Sequence, residues 1–168
     1  SKIKNKEDYV EAIKMLRDSV ENTMAELRES IYGKRFKDNL NTFIHTIYAY
    51  MEEVERLNEV SIKVNLDEQS DYIAIAQKIA LYRVACEAVN NAIKHGQAKN
   101  VEVNLKLNTN SIELVVEDDG LGFSKDDKDF HEGNGLKNMR SIAVLLKGFL
   151  SILHGEKSGV RVKLSLPR

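Results

Sequence analysis

Residues 87–95 read Glu-Ala-Val-Asn-Asn-Ala-Ile-Lys-His, and the rest of the chain is best understood outward from this stretch. On a helix, residues three and four apart lie on the same face. One face would be small and apolar, formed by Ala85, Ala88, Val89 and Ala92. The opposite face would carry a carboxylate, an amide, an ammonium and an imidazole, from Glu87, Asn91, Lys94 and His95. These groups suit a magnesium-bound triphosphate, although the solvated face of an ordinary amphipathic helix has a similar composition.

Helical and strand-like patterns alternate around this stretch. Apolar residues repeat every three or four positions over 7–31 and 36–59, which predicts two preceding helices. The central helix is expected over 72–95, with Gly96 as its natural end. Helix periodicity returns at 136–146. Short apolar or alternating runs predict strands at 61–66, 101–107, 112–117, 149–154 and 160–166.

The order of these elements predicts an α+β fold. From residue 61 onward the order is strand, helix, strand, strand, helix, strand, strand. Strands joined by turns as tight as 108–110 pair in antiparallel fashion. The helices would then cover one face of the sheet, giving a two-layer α/β sandwich with an N-terminal helical extension. We therefore expect a helical region at 1–59 and the sandwich at 60–168.

Composition narrows the possible classes of function. The chain has 168 residues, which suits one domain or one domain with an appendage. A formal net charge of −1 provides no electrostatic footprint for nucleic acid or an acidic membrane surface. No apolar run approaches the ~20 residues needed to cross a bilayer. The first residues run straight into helical sequence without a signal-peptide pattern, so we expect a piece of a longer protein.

A second polar cluster, Glu117-Asp118-Asp119-Gly120-Leu121-Gly122, follows a predicted strand. A carboxylate at a strand end can accept a hydrogen bond from the exocyclic amine of adenine, a donor that guanine lacks at that ring position. Such a buried bond contributes roughly 1.5–3 kcal/mol, which is enough to select one base. The glycines would leave room for the ring. Asp-Gly is also among the commonest turn pairs, so an ordinary turn is the alternative.

A third cluster, Gly133-Asn134-Gly135-Leu136, precedes the last predicted helix. Backbone N–H groups at a helix start attract anions, and two glycines let the backbone fold around phosphate oxygens. A glycine-rich hinge without a ligand is the alternative. The charged run at 124–132 is interpreted as a solvated loop, as a lid over a ligand, or as both.

Taken together, in this order and at these spacings, the three clusters resemble the GHKL ATPases. This superfamily includes sensor histidine kinases, Hsp90-type chaperones, type II topoisomerases and MutL-type repair proteins. Residues 81–95 look like the asparagine box of bacterial sensor histidine kinases of the NarL-partnered class, and 133–140 look like its second glycine box. The resemblance covers roughly 61–168. It implies ATP and Mg²⁺ as cofactors, an ATP-binding catalytic domain at 60–168, and the end of a dimerisation helix plus the first helix of the catalytic region within 1–59.

The resemblance also implies roles for individual residues. Near the phosphates and ribose it implies a catalytic glutamate, a magnesium-binding asparagine and two further catalytic side chains, namely Glu87, Asn91, Lys94 and His95. Around adenine it implies an aspartate and two supporting glycines, namely Asp118, Gly120 and Gly122. From the ATP lid it implies two glycines and the residue that opens the next helix, namely Gly133, Gly135 and Leu136.

The implied partners are those of a two-component sensor. The kinase would transfer the γ-phosphoryl group of ATP to a histidine outside this chain and would work with a response regulator. The full-length protein would be a homodimer without a nucleic-acid partner. It would act in the cytoplasm, either as a soluble protein or as the cytoplasmic part of a membrane-anchored sensor.

Two departures from the family pattern keep other functions open. Gly159 is followed by Val160 where the family usually has threonine, so a hydroxyl that supports the adenine aspartate is missing. No phosphoacceptor is assigned, because His45 is followed by Thr46 rather than by an acidic residue, and we expect it to be a partly buried structural histidine. A nucleotide-gated regulatory module without phosphotransfer, or a serine kinase of the anti-sigma-factor type, would share the nucleotide fold.

Overall fold

The computed structural model describes residues 42–122, 133–155 and 158–168, which belong to one compact unit, Asn41–Arg168. The predicted helix at 7–31 and the charged run at 124–132 lie outside the described residues. The described elements are, in order, α1 (Phe43–Leu57), β1 (Ser61–Leu66), a 3₁₀ helix (Glu68–Tyr72), α2 (Ile75–Lys94), β2 (Asn100–Leu107), β3 (Ser111–Asp118), α3 (Asn134–Leu145), β4 (Phe149–His154) and β5 (Val160–Pro167).

The strands form one mixed sheet in the order β1-β2-β3-β5-β4. The β2–β3 and β4–β5 pairs are antiparallel, as the tight turns between them predict, and β3 pairs with β5 in the same way. The β1–β2 pair is parallel, because the chain crosses over through α2 before it returns to the sheet.

Burial alternates along the strands, so the sheet has one apolar and one polar face. Every second residue of β3 is buried. On the other face, Glu113 forms a salt bridge with Lys163 at 3.1 Å, and Glu117 forms one with Arg161 at 3.4 Å. The helices supply the second layer. Residues fully buried in the core include Ile47, Met51, Leu81, Val84, Leu105, Leu114, Met139 and Leu164. The predicted α+β sandwich is therefore confirmed.

The start of α2 differs from the prediction. The helix begins at Ile75 rather than at residue 72, so the predicted start is wrong by three residues. The preceding 3₁₀ helix is capped by Asp67, whose carboxylate accepts the Gln69 N–H at 2.9 Å. The Ala74 N–H then donates to the side chain of Gln77 at 3.2 Å and opens α2. Apolar spacing cannot separate a short 3₁₀ turn from the α-helix that follows it.

The first helix, α1, covers the β1 edge of the sheet, where the Tyr48 hydroxyl donates to the Val64 carbonyl oxygen at 3.1 Å. His45 is exposed in the first turn of α1, so the expectation of a partly buried histidine is wrong. The buried side of that turn is occupied instead by Phe43, Thr46 and Ile47. Among the helices of the described ranges, none is both long and apolar enough to span a bilayer. The boundary after residue 59 stays a prediction.

Candidate functional site

The central helix, α2, has the two faces that its sequence predicts. The residues buried against the core are Ala85, Ala88, Val89 and Ala92. On the opposite face, Glu87 and Asn91 are half-buried, and Lys94 and His95 are exposed. The helix ends at Lys94 with His95 as its C-cap, and the N–H of the next residue, Gly96, donates to the Asn91 carbonyl oxygen at 3.1 Å.

The second cluster places a buried carboxylate at the end of β3. Asp118 is the last residue of that strand and is only 8% exposed. The Gly120 N–H donates to its Oδ1 at 2.8 Å, and the Val160 N–H donates to the same carboxylate. Burial raises the pKa of Asp118, and the two backbone hydrogen bonds oppose that rise. The buried carboxylate is therefore held in place by the main chain.

The turn after Asp118 packs against the end of α2. The Leu121 N–H donates to the Gly96 carbonyl oxygen at 2.8 Å. A Cβ atom on Gly120 would lie 2.8 Å from the Gly96 carbonyl carbon and 2.9 Å from Asp118 Oδ1, so no side chain fits there. The first and second clusters, which are far apart in the sequence, therefore adjoin each other.

Two glycines allow close approach of the backbone around Asp118. Gly122 and Gly159 have φ angles of +72° and +71°, which residues with a side chain rarely adopt. A Cβ atom on Gly122 would lie 2.9 Å from the Gly159 carbonyl oxygen, and one on Gly159 would overlap Asp118 itself. The sequence points to Gly159 only as the residue before Val160 and not as a site residue, because an isolated glycine before a strand is an ordinary turn signal.

The third cluster lies at the start of α3, where Gly133 is the N-cap and Leu136 is in the first turn. Within the described part of the chain, nothing approaches within 4 Å of a Cβ atom built on Gly133. Gly135 differs, because a Cβ atom there would overlap Oε1 of Glu87 and lie 2.7 Å from its Cδ. The third cluster therefore contacts the first.

The donor groups on the polar face of α2 fit a magnesium ion that a nucleotide carries. In the described ranges, no group of three or more His, Cys, Asp or Glu residues could hold a metal ion. Magnesium commonly takes one or two protein ligands and completes its shell with phosphate oxygens and water. The half-buried amide of Asn91, one helical turn from Glu87, suits that limited contribution.

Comparison with known proteins identifies the fold. Residues 76–168 match the family described as histidine kinase-, DNA gyrase B-, and HSP90-like ATPases. The chain belongs to this ATPase family. The matched range contains all three clusters, so the resemblance derived from them is confirmed.

Relatives of this ATPase-family chain are sensor kinases. It is 29% identical over 164 residues to the signal transduction histidine-protein kinase/phosphatase DegS of Brevibacillus brevis, covering 96% of this chain and 42% of DegS. It is 30% identical over 150 residues to the oxygen sensor histidine kinase NreB of Staphylococcus carnosus, covering 89% of this chain and 42% of NreB. The chain therefore spans about two fifths of the length of these relatives.

Solved structures of histidine kinases share the ATPase-family fold. The blue-light activated histidine kinase of Erythrobacter litoralis EL346 superposes with a TM-score of 0.71 at 18% identity, over 89% of this chain and 49% of that one. The catalytic domain of histidine kinase ThkA superposes with a TM-score of 0.60 at 20% identity, over 74% of this chain and 90% of that one. At these identities the likeness establishes the fold.

The departure at Val160 removes a side-chain hydroxyl but leaves a backbone hydrogen bond to Asp118 in place. The valine side chain has no hydroxyl to offer Asp118, yet its N–H donates to the carboxylate. A backbone donor is present whatever side chain the residue carries, so Val160 still stabilises the ionised aspartate of this ATPase-family site. The sequence does not reveal this bond, because it depends on how β5 is placed beside β3.

Proposed function

We propose that this chain is the ATP-binding catalytic domain of a two-component sensor histidine kinase. It would transfer the γ-phosphoryl group of Mg-ATP to a histidine outside the chain. The observation that carries the proposal is the junction of the three clusters, with the turn after Asp118 against Gly96 and with Gly135 against Glu87. Its domain organisation would be the helical region at 1–59 followed by the catalytic domain at 60–168.

At the adenine end, recognition would depend on Asp118. Its ionised carboxylate would accept a hydrogen bond from the exocyclic amine of adenine, while the N–H groups of Gly120 and Val160 hold it in place. Guanine has no amine at that position, so it would leave a buried acceptor unpaired. Gly120 and Gly122 would support this arrangement by letting the backbone beside Asp118 pack closely, because a Cβ atom on either would meet the chain itself.

At the phosphate end, the polar face of α2 would position the reacting groups. Magnesium, bound through the amide of Asn91, would neutralise phosphate charge. Glu87 would act as general base toward the incoming nucleophile, which typically contributes about 10²–10⁴-fold in rate. Lys94 and His95 would neutralise charge near the phosphates and ribose. The start of α3 would supply backbone N–H groups to the phosphates, from the segment formed by Gly133, Gly135 and Leu136.

The partners follow from this reaction. A response regulator would receive the phosphoryl group, and the full-length protein would act as a homodimer in which one helix carries the acceptor histidine. A cytoplasmic position is proposed because the reaction consumes ATP. No nucleic acid is expected to bind, since the net charge is only −1.

The decisive experiment compares ADP and GDP binding by calorimetry. We expect the wild-type chain to prefer ADP, and Asp118→Ala to weaken ADP binding roughly 10- to 100-fold because one charge-assisted hydrogen bond is lost. GDP binding serves as the internal control and should change much less. Undiminished ADP affinity in Asp118→Ala would contradict the assignment of Asp118 to adenine.

A second measurement separates kinase activity from other uses of the fold. The purified chain is incubated with labelled ATP and a separately supplied helical acceptor domain from a related kinase, and the labelled residue is identified. Label on histidine supports the proposal, label on serine would favour the anti-sigma-factor type, and nucleotide binding without any label would favour a regulatory module. Two features of the sequence favour such a module, the missing phosphoacceptor histidine and Val160, and the Val160 backbone still donates to Asp118.

A further inference from the structure

The neighbour of Asp118, Asp119, binds the beginning of β2. Its Oδ1 accepts the N–H groups of Lys99 at 2.8 Å and Asn100 at 2.9 Å, and its Oδ2 accepts the Asn100 side-chain amide at 2.7 Å. The Asp119 N–H donates in turn to the Asn100 carbonyl oxygen at 3.1 Å. Four hydrogen bonds thus connect one exposed aspartate to the start of the neighbouring strand.

These bonds close one side of a junction between two loops. The first loop, 95–99, leads from α2 to β2, and the second, 119–122, follows β3. On the other side of the junction, the Leu121 N–H donates to the Gly96 carbonyl oxygen at 2.8 Å. The two loops are therefore joined at two points, and Asp118 lies where β3 enters the junction.

The junction holds the loop that follows Asp118 against the loop that follows α2. The first loop is held to the helix, because the Ala98 N–H donates to the Ala92 carbonyl oxygen at 3.0 Å. The second loop contains Gly120, whose N–H donates to the Asp118 carboxylate at 2.8 Å. A separation of the loops would therefore move the Gly120 donor and change how the Asp118 carboxylate is aimed relative to the polar face that carries Asn91, while strand pairing would still hold the Asp118 backbone in the sheet.

We propose that Asp119 is a positioning residue for adenine recognition, which joins the two loops and so holds the Asp118 carboxylate at a set distance from the polar face of α2. The proposal rests on the proposed function, since it takes Asp118 as the partner of adenine. Asp119 acts through Asp118 and does not contact the nucleotide. A loop already held in its binding conformation loses less entropy when the ligand binds, which raises affinity.

The pKa values of the two neighbouring aspartates are shifted in opposite directions, which fits a positioning role for Asp119 and a binding role for Asp118. Hydrogen bonds from the Asn100 side chain and backbone lower the pKa of Asp119, whereas burial raises the pKa of Asp118. Only the ionised carboxylate of Asp119 can accept all three hydrogen bonds without competing as a donor. The junction therefore persists to a lower pH than an aspartate with its ordinary pKa would allow.

The chain offers a matched control in Asp67, at the opposite end of β2. Its Oδ1 accepts the Gln69 N–H at 2.9 Å, and its Oδ2 accepts the Leu107 N–H at 3.3 Å. Leu107 pairs with Ile112 at the beginning of β3, whereas Asp118 is at the end of that strand. Replacing Asp67 therefore removes backbone hydrogen bonds of the same kind at a distance from the proposed adenine site.

The test is calorimetric titration of ADP and of GDP, with magnesium, into the wild-type chain and into Asp119→Ala, Asp119→Asn and Asp67→Ala. Asp119→Ala should weaken ADP binding roughly tenfold and reduce the preference for ADP over GDP. Asp119→Asn should stay within about threefold of wild type, because its amide oxygen still accepts the two backbone N–H groups. Asp67→Ala should leave both affinities within about twofold, since it lies outside the junction.

Unchanged ADP affinity in Asp119→Ala would overturn the proposal, and so would equal losses in Asp119→Ala and Asp67→Ala, because the effect would then be one of general stability. If urea unfolding shows that Asp119→Ala does not fold, Asn100→Ala removes the side-chain bond alone. It should weaken ADP binding by about threefold, and no loss would overturn the proposal. A wild-type chain that binds no ADP would instead refute the proposed function itself.

Discussion

The surroundings of Asp118 and those of Glu87 are built from different parts of the chain. Around Asp118, backbone N–H groups hold the carboxylate, and Gly159 lies against it with a positive φ. Around Glu87, the neighbouring surface is formed by side chains and by the first turn of α3, where Gly135 lies against the end of the glutamate. Neither glycine leaves room for a Cβ atom. A Cβ atom on Gly159 would overlap the main chain of Asp118, whereas one on Gly135 would overlap the Glu87 side chain, which can change rotamer.

This difference indicates how recognition and reaction are divided in the proposed kinase. The adenine ring is unchanged by the reaction, so a rigid backbone can be fitted to it. The γ-phosphoryl group moves, so the groups that act on it need freedom to adjust. We therefore expect substitutions near Asp118 to change stability and affinity, and substitutions near Glu87 to change rate.

The largest effect on folding is expected for Gly159→Ala. A side chain at positive φ costs about 1–2 kcal/mol, and overlap with Asp118 adds roughly 1–3 kcal/mol, so the free energy of unfolding should fall by at least about 2 kcal/mol. Urea denaturation measures this change. Gly133→Ala is the control and should lose less than about 1 kcal/mol, because Gly133 has a φ of −63° and open space around it, and only its N-cap position favours glycine over alanine. Equal losses of unfolding free energy in Gly159→Ala and Gly133→Ala would contradict the claim that close packing around Asp118 requires glycine.

A smaller effect, and one on rate, is expected for Gly135→Ala. The added methyl group overlaps the end of Glu87, which can rotate away, so stability should change by less than about 1 kcal/mol. A displaced general base should slow transfer of labelled phosphate to the acceptor domain roughly tenfold, while ADP affinity stays the same. If Gly133→Ala slows transfer by the same factor, the contact between Gly135 and Glu87 is not the cause.

The smallest effect is expected in how the free energy of unfolding changes with pH when Asp118 or its neighbour Asp119 is replaced. Burial raises the pKa of Asp118, so its ionisation costs folding free energy once the pH exceeds its ordinary value of 3.8. Asp118→Asn should therefore be more stable than wild type at pH 7, with the difference disappearing below about pH 3.8. The pKa of Asp119 is lowered, chiefly by the Asn100 side chain, so Asp119→Asn should be less stable than wild type at pH 7. Urea denaturation at both pH values measures the two differences, and the same sign for both variants would contradict this interpretation.

Sequence patterns predict the bounds and faces of an element correctly where these depend on local periodicity. The bounds of β1 and β4 agree with the alternating runs at 61–66 and 149–154, and the two faces of α2 follow from its helical spacing. The start of α2 was not predictable from spacing alone, because a side-chain cap at Asp67 forms a 3₁₀ turn first. The parallel pairing of β1 with β2 was not predicted either, since it arises from a crossover rather than a turn.

The site residues show the same division. The chemistry and spacing of Glu87, Asn91 and Asp118 predict them as site residues, and the fold brings their elements together. Chemistry and spacing do not predict a role for Gly159 or Asp119, because each matters through a contact with a residue distant in sequence or through another element. Neither residue has a local pattern that distinguishes it from an ordinary turn residue.

By itself, the sequence determined the order of the elements, the buried face of each and the three polar clusters, because these depend on residue type and spacing along one segment. Only the tertiary structure decided that Gly135 meets Glu87, that the Val160 N–H supports Asp118, and that Asp119 joins two loops. Those contacts depend on the strand order and on how α2 and α3 pack, which are properties of the whole chain and not of any one segment.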